Sequence, residues 1–315
     1  MAKRPVLIDC DPGHDDSIAL MLAFACPELD ILAVTAVGGN QTLEKTHLNI
    51  RKTLTVLGKS APIAAGAAKP LTRELMVAPN VHGETGLDGP SFPPEEQLIP
   101  STGRRALELQ IEALENSAEP VTIIAVGPLT NLGILLSARP DLAEKIDHIT
   151  IMGGALLGGN WSAAAEFNIM VDPEAANIVF GSGKPVVMCG LDVTHQAYIL
   201  EEDIARFRRI DTVGAKLTAD LLDFFKLYHQ AGVVGVPLHD PCAVAYEVAP
   251  ELFTTVDAVL EAETQSEFCN GTIIADLRGR GGRPLIHKAV TGVDRQGFLD
   301  LLTRAMEQYP KEVQL

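Results

Sequence analysis

Short apolar runs alternate with helical patterns through the first two thirds of the sequence. The runs that are typical of buried strands are residues 6–8, 31–37, 62–65, 121–126, 148–152 and 185–189. Between most of them lie helical patterns, at residues 17–25, 43–57, 106–114, 132–138 and 174–180. This alternation predicts βαβ units and therefore an α/β fold, with an open, mostly parallel, Rossmann-like sheet flanked by helices.

The last third of the chain is more helical. One long helical pattern runs from Thr212 to about Gln230 and another covers residues 294–309, with small peripheral strands predicted at 256–260 and 272–274. The 315 residues contain no short internal repeat and no linker rich in Pro, Gly or Ser. We therefore predict a single domain over residues 1–315.

The composition argues against several classes of partner. A formal net charge of -16 predicts repulsion from nucleic acids and from anionic membranes. Residues 278–283 are rich in Arg and Gly and resemble an RNA-binding segment, but in this acidic chain we interpret them as a solvated hairpin loop. The five cysteines are scattered without a C-x-x-C pair, as is typical of reduced thiols. With no signal peptide or membrane span evident, we predict a cytoplasmic protein.

An acidic turn follows the first predicted strand. Residues 9–16 contain four aspartates, namely Asp9, Asp11, Asp15 and Asp16. They lie between a strand and a helix, where open α/β sheets bind their ligands. One Asp could simply cap the helix, but four in one turn repel each other strongly. A bound cation would relieve this repulsion, and carboxylate oxygens suit Ca²⁺ or Mg²⁺.

Glycine and polar residues follow most of the other predicted strands. They are Gly38, Gly39 and Asn40, then residues 127–131, then Gly153 and Gly154, and finally Asp192 and Thr194. Because parallel strands point the same way, these residues converge with the acidic turn at the carboxyl ends of the strands. We expect the active site there, although ordinary turn chemistry is the alternative for any single glycine.

Two long loops carry further candidates. Residues 81–89 combine glycines with ionisable side chains, inside an irregular stretch from 66 to 100 that is long enough to be a functional lid. In the second loop, Glu166 and Asn168 are alternate residues, which would project the same way from an extended segment. Asp172 precedes Pro173 and is interpreted as a structural helix cap.

A second Asp-Pro pair lies near the end of the chain. Asp240 precedes Pro241 and could also be only a cap, but His239 stands directly before it. Together they offer a proton donor and an oxygen ligand at the start of a helix.

Taken together, these motifs resemble the nucleoside hydrolases, the inosine–uridine-preferring N-ribohydrolase family. The resemblance covers essentially the whole chain and rests on residues 9–16 (DCDPGHDD), 39–40 (GN), 82–89 (HGETGLDG), 125–128 (AVGP), 152–154 (MGG), 165–168 (AEFN) and 239–240 (HD). It implies an enzyme that hydrolyses the N-glycosidic bond of ribonucleosides and binds one Ca²⁺ per subunit. It also implies a homo-oligomer, either a tetramer or a dimer.

The resemblance implies a role for each matching residue. Asp11, Asp16 and Asp240 would be Ca²⁺ ligands, together with the main-chain carbonyl of Val126. Asp11 would also be the general base, and His239 the acid that protonates the leaving base. The residues that match ribose contacts are Asp15, Asn40, Met152, Asn160, Glu166 and Asn168. The candidates for contact with the nucleobase are His82, His239 and Tyr228.

The preferred base and two other functions remain open. Residues 222–225, 228–229 and 238–242 are most similar to the pyrimidine-preferring members, which predicts uridine and cytidine as substrates; a purine or broad-specificity enzyme is the alternative. A Mg²⁺-dependent aspartyl phosphatase is a remote alternative, because residues 12–14 lack the Ser or Thr that such chemistry uses. A calcium-binding EF-hand would need Gly and Glu where His14 and Leu20 stand.

Overall fold

The computed structural model describes residues 3–227 and 235–314. Within these two ranges, the strands form one nine-stranded sheet and one separate pair, which consists of β7 and β8. In chain order the strands are β1 (Arg4–Cys10), β2 (Leu29–Ala36), β3 (Ile63–Ala65), β4 (Val121–Ala125), β5 (Ile146–Met152), β6 (Val186–Cys189), β7 (Tyr198–Ile199), β8 (Val236–Pro237), β9 (Phe253–Ala262), β10 (Ile273–Asp276) and β11 (His287–Val293).

The order of the strands places a crevice beside β1. The large sheet has the order β10-β9-β11-β6-β5-β4-β1-β2-β3, and every pair from β11 to β3 is parallel, while β9 is antiparallel to both of its neighbours. The chain winds outward from β1 in one direction and from β4 in the other. Ligands of open α/β sheets bind where the order reverses in this way, outside the carboxyl ends of the two central strands.

Helices cover both faces of the sheet. They are α1 (His14–Ala25), α2 (Leu43–Val56), α3 (Pro79–His82), α4 (Ala106–Asn116), α5 (Thr130–Ala138), α6 (Phe167–Val171), α7 (Pro173–Phe180), α8 (Leu191–Thr194), α9 (Glu201–Arg208), α10 (Val213–Phe225), α11 (Pro241–Val248) and α12 (Arg295–Glu307). In β1, Val6 and Ile8 pack in one core with α1, and Leu7 packs in a second core with α4 and α5. Because both faces are buried, the strand is apolar throughout.

The predicted fold class is confirmed, and so are the six strands and five helices predicted in the first two thirds. The strands predicted at 256–260 and 272–274 are confirmed as parts of β9 and β10, which lie at one edge of the main sheet, whereas β11 was not predicted. Two other predictions for the last third were wrong. Residues 278–283 are not a hairpin loop, because they join β10 to β11 across the intervening β9. Helix α10 ends at Phe225, before the predicted end.

Candidate active site

The turn between β1 and α1 is held by the side chain of Asp16. Its Oδ1 accepts a hydrogen bond from the main-chain N–H of Asp11 at 3.1 Å, and its Oδ2 accepts one from Gly13 at 2.9 Å. Gly13 is the N-cap of α1, so an acid at the third helical position reaches back to the cap. This bonding fixes the acidic turn at the carboxyl end of β1.

The aspartates of the turn separate onto two sides of the sheet. Asp9 lies on the same side of β1 as Leu7, where its Oδ1 accepts hydrogen bonds from Asn131 at 2.8 Å and from Gln110 at 3.4 Å. These partners belong to α4 and α5, so Asp9 is engaged away from Asp15 and Asp16, which lie on α1. The expectation that all four acids crowd together was therefore wrong for Asp9.

A carboxylate from the other end of the chain replaces Asp9 in the cluster. Oxygen atoms of Asp15, Asp16 and Asp240 all lie within 4.8 Å of one another, and the three residues are buried. Asp240 is the N-cap of α11, but its side chain makes no capping hydrogen bond. Asp172, in contrast, accepts the N–H of Ala175 at 3.0 Å and is a structural cap, as predicted.

Asp11 lies beside this group with one oxygen available. Its Oδ2 accepts the N–H of Asn40 at 2.6 Å, whereas its buried Oδ1 receives no hydrogen bond from the described residues. A Cβ at Gly39 would lie 2.1 Å from Oδ2, and one at Gly127 would lie 2.4 Å from Oδ1. These two glycines of the strand ends therefore make room for the Asp11 carboxylate.

The four carboxylates are buried close together, so their ionised forms are unfavourable without a positive charge nearby. Burial raises the pKa of Asp11, Asp15, Asp16 and Asp240. The charge of Asp16 raises the pKa of Asp11 and Asp15 further, and the charge of Asp15 does the same for Asp240. A divalent cation placed among carboxylates reverses this effect and favours their ionised form. The donor set, made of carboxylate oxygens, fits a hard cation.

A cleft of about 660 Å³ opens in front of the cluster. The predicted site residues that line it are Asp15, Asn40, His82, Val126, Met152, Asn160, Glu166, Asn168, His239 and Asp240. Asp11 and Asp16 are fully buried behind Asn40, whose side-chain nitrogen lies 3.1 Å from Asp16 Oδ2. Tyr228 lies outside the described residues. The structure thus brings together residues that are scattered over most of the sequence.

One wall of the cleft consists of Glu166 and Asn168. Glu166 is the N-cap of α6, so the expected extended segment was wrong, and helix-cap geometry brings the two side chains together. The Glu166 carboxylate accepts main-chain N–H bonds from Gly154, Asn168 and Ile169, while burial raises its pKa to about 7. Asn168 donates through Nδ2 to the carbonyls of Val126 and Met152, at 3.0 and 3.2 Å.

The two predicted histidines face the cleft from other elements. His82 ends α3, and its ring stacks on Phe225 with centroids 5.4 Å apart. Nδ1 of His239 lies 2.8 Å from the hydroxyl of Thr194, at the end of α8. His14 packs against His82 but does not line the cleft, and burial lowers the pKa of His14 to about 4.

Comparison with known proteins identifies the family. Residues 6–300 match the model of the family described as inosine-uridine preferring nucleoside hydrolase. The chain belongs to this family. It is therefore a hydrolase that acts on N-glycosyl bonds, and a nucleoside is the substrate expected of this family.

Several relatives resemble this nucleoside hydrolase over nearly their whole length. The pyrimidine-specific ribonucleoside hydrolase RihA of Shewanella sp. (strain MR-7) is 53% identical over 98% of this chain and 97% of its own. RihA of Salmonella typhimurium is 52% identical over 97% and 99%. Among solved structures, the purine-preferring ribonucleoside hydrolase from Gardnerella vaginalis has a TM-score of 0.90 at 29% identity, covering 96% of this chain and 98% of its own.

In this nucleoside hydrolase, the residues with a ring side chain that line the cleft but were not predicted as site residues include Trp161, Phe167, His195 and Phe225. Trp161 is the only Trp of the chain and follows Asn160, which was a usable signal. His195 follows the polar end of β6, and its ring packs edge-on against His239 at 5.7 Å. Nothing in the sequence indicated a binding role for Phe167, because a single Phe next to Glu166 predicts a residue of the hydrophobic core.

Nucleoside hydrolases depend on a metal, and the carboxylate cluster is where this chain would hold one. Among the described residues, no helix is both long enough and apolar enough to cross a membrane.

Proposed function

We propose that this nucleoside hydrolase releases ribose from uridine and cytidine in preference to inosine, with one Ca²⁺ per subunit. The observation that carries the proposal is one cleft that joins the carboxylate cluster, the Glu166–Asn168 wall and two histidines. This arrangement supplies negative charge for an oxocarbenium-like sugar and proton donors for the departing base, the two needs of glycoside cleavage.

Asp11, Asp16 and Asp240 are the side chains that we assign to the ion, with the carbonyl of Val126. Asp15 is close enough to Asp16 and Asp240 to bind the same ion, although by position it matches a residue that contacts the ribose in the family. The Val126 carbonyl already accepts a bond from Asn168 but has a second lone pair. When bound, the ion would orient the attacking water and the 2′- and 3′-hydroxyls and modestly lower the pKa of the water.

Asp11 and His239 divide the proton transfers. Oδ1 of Asp11 receives no hydrogen bond from the described residues, so it can take the proton of the attacking water. Oδ2 is held by Asn40, which fixes the direction of the carboxylate. Thr194 contacts Nδ1 of His239, and we assign the other ring nitrogen, Nε2, to protonation of the leaving base. An imidazole is suited to this step near neutral pH.

Glu166 and Asn168 would bind the ribose, with Asn160, Asn40, Asp15 and Met152 around them. The Asn168 amide nitrogen is used within the protein, which leaves its Oδ1 for a sugar hydroxyl. The Glu166 carboxylate accepts hydrogen bonds from three main-chain N–H groups, two at Oε2 and one at Oε1. Oε1 can therefore accept one more hydrogen bond, from a sugar hydroxyl.

The preference for pyrimidines rests on the base end of the cleft and on the 53% identity to a pyrimidine-specific relative. Purines can be protonated at N7, whereas a pyrimidine needs a donor on another side, for which His82, His239 and Tyr228 are candidates. We expect kcat/KM for uridine and cytidine to exceed that for inosine by about 10-fold or more. A substrate panel measures this, and an equal or higher value for inosine would instead indicate a broad-specificity or purine enzyme.

We expect Asn168→Ala to lower kcat/KM by a similar factor for every ribonucleoside that is cleaved. Loss of one partner that leaves a buried polar group without its hydrogen bond costs ~1–3 kcal/mol, or roughly 5- to 150-fold. Asn177→Ala is the matched control, because Asn177 bonds to the main chain of Ala262, away from the cleft. A loss of kcat/KM confined to purine or to pyrimidine nucleosides would show that Asn168 contacts the base and not the ribose.

We also propose a cytoplasmic homo-oligomer. All five cysteines are unpaired thiols, which suits a reducing compartment. Ile274 in the edge strand β10 and Leu277 directly after it are about half exposed, and Phe268, in the segment before β10, is 81% exposed. Exposed apolar side chains at a sheet edge are a site at which another chain can pack.

A further inference from the structure

His14 occupies the centre of a stack of rings between the acidic turn and the loop of residues 82–89. Its ring lies 4.9 Å from that of Phe224 and 5.5 Å from those of Phe225 and His82, with interplanar angles of 6°, 4° and 18°. It is the first residue of α1 and is fully buried. The stack therefore joins the turn of the carboxylates to a cleft-lining histidine from another loop.

Polar contacts strengthen this connection. Nε2 of His14 lies 2.9 Å from the carbonyl oxygen of Asp88, which can only accept, so His14 donates there. The main-chain N–H of His14 donates to Nδ1 of His82 at 3.3 Å. A Cβ at Gly13 would lie 2.4 Å from the same nitrogen, so His82 rests directly against the turn.

Side chains of α2, and of Gln41 just before it, hold the rest of the loop of residues 82–89 by hydrogen bonds. Gln41 donates to the carbonyl of Gly83 and Lys45 to that of Glu84, while Asn49 donates both to Thr85 and to Pro12 of the acidic turn. Lys45 and Asn49 are four residues apart and so share one face of α2, and Gln41 lies just before the helix begins. The loop is thus held at four carbonyls, and His14 is the contact that also reaches His82.

We propose that His14 is a positioning residue that holds His82 at the base end of the cleft. The proposal rests on the proposed contact of His82 with the nucleobase. His14 does not line the cleft, so it acts on the substrate through its neighbours, and the polar contacts of its side chain lead to His82 and to the loop. The position of the base-side histidine is therefore set by the same turn that carries Asp15 and Asp16.

The test is a double-mutant cycle between His14 and His82. His14→Phe keeps the ring stack and removes the bond to Asp88, and we expect it to lower kcat/KM on uridine by about 10- to 100-fold. Hydrolysis of p-nitrophenyl riboside should change by less than about 3-fold, because its leaving group needs no help from the base side. His14→Gln can still donate to Asp88 and should recover part of the loss. Combined with His82→Ala, His14→Phe should add little.

The control is His47→Phe, since His47 lies on α2 and its side chain bonds to Ser101, which belongs neither to the turn nor to the loop. Its activity should match that of the unmodified protein. Equal losses on both substrates for His14→Phe and His14→Gln, or full additivity with His82→Ala, would overturn the inference in favour of a general structural role. If His82→Ala lowers kcat/KM on uridine but His14→Phe does not, the inference about His14 is overturned, while the proposed contact of His82 with the base stands. If His82→Ala leaves uridine hydrolysis unchanged, the proposed contact of His82 with the base fails first, and the inference falls with it.

Discussion

Removal of divalent cations by a strong chelator should abolish the release of ribose, and added Ca²⁺ should restore it. The physical reason is the group of buried carboxylates at the end of β1, whose charges repel one another in the absence of a cation. Elemental analysis before and after chelation, with ribose release as the activity, measures the effect. Full activity of a preparation shown to be free of metal would end the metal proposal.

Asp240→Asn separates the ion from general folding effects. Without metal, this variant removes one of the repelling charges, so it should unfold at a temperature equal to or higher than that of the unmodified protein. With Ca²⁺ the order should reverse, because a ligand at 100 times its Kd stabilises the native state by about 2.7 kcal/mol and the variant binds it more weakly. Calorimetry at matched Ca²⁺ concentrations measures both. A variant that gains as much from Ca²⁺ as the unmodified protein would remove Asp240 from the ligand set.

His239→Ala should lower kcat/KM on uridine by ~10²–10⁴-fold, the usual contribution of general acid catalysis. On p-nitrophenyl riboside the loss should be small, because p-nitrophenolate leaves without protonation. His47→Ala serves as control, because it removes the same side chain from a site away from the cleft.

Equal losses on both substrates would give His239 a different role. Its contact with Thr194 and its place beside Asp240 would then orient the sugar or the carboxylate cluster. His195, whose ring packs edge-on against His239 in the same cleft, would be the next candidate for the acid.

The solved relative that prefers purines shares this fold with a TM-score of 0.90. The fold is therefore compatible with either class of base. We propose that the preference arises from side chains at the end of the cleft that we assign to the base, with His82, Phe225 and His239, all of which line the cleft. Tyr228 is a further candidate there, and its contact with the base stays a prediction.

The sequence by itself determined the α/β class, because the strands and helices of the first two thirds are encoded by local periodicity. It also located the acidic turn, since four aspartates behind an apolar run are visible without a structure. The late strands were harder to predict. β9 to β11 pair at the far edge of the sheet, and which strands become neighbours depends on contacts between residues distant in sequence.

Only the tertiary structure decided which acids serve the site. Asp172 and Asp240 both precede a proline and both start helices, yet Asp172 caps its helix, whereas Asp240 leaves its own uncapped and joins Asp15 and Asp16. Asp9 belongs to the acidic turn in sequence, but its side chain bonds to Asn131 on α5 and not to the carboxylate cluster. A cap and a candidate ligand are the same residue type in the same local pattern. What separates them is whether a neighbouring backbone N–H or another carboxylate lies within reach, and that depends on how distant elements pack.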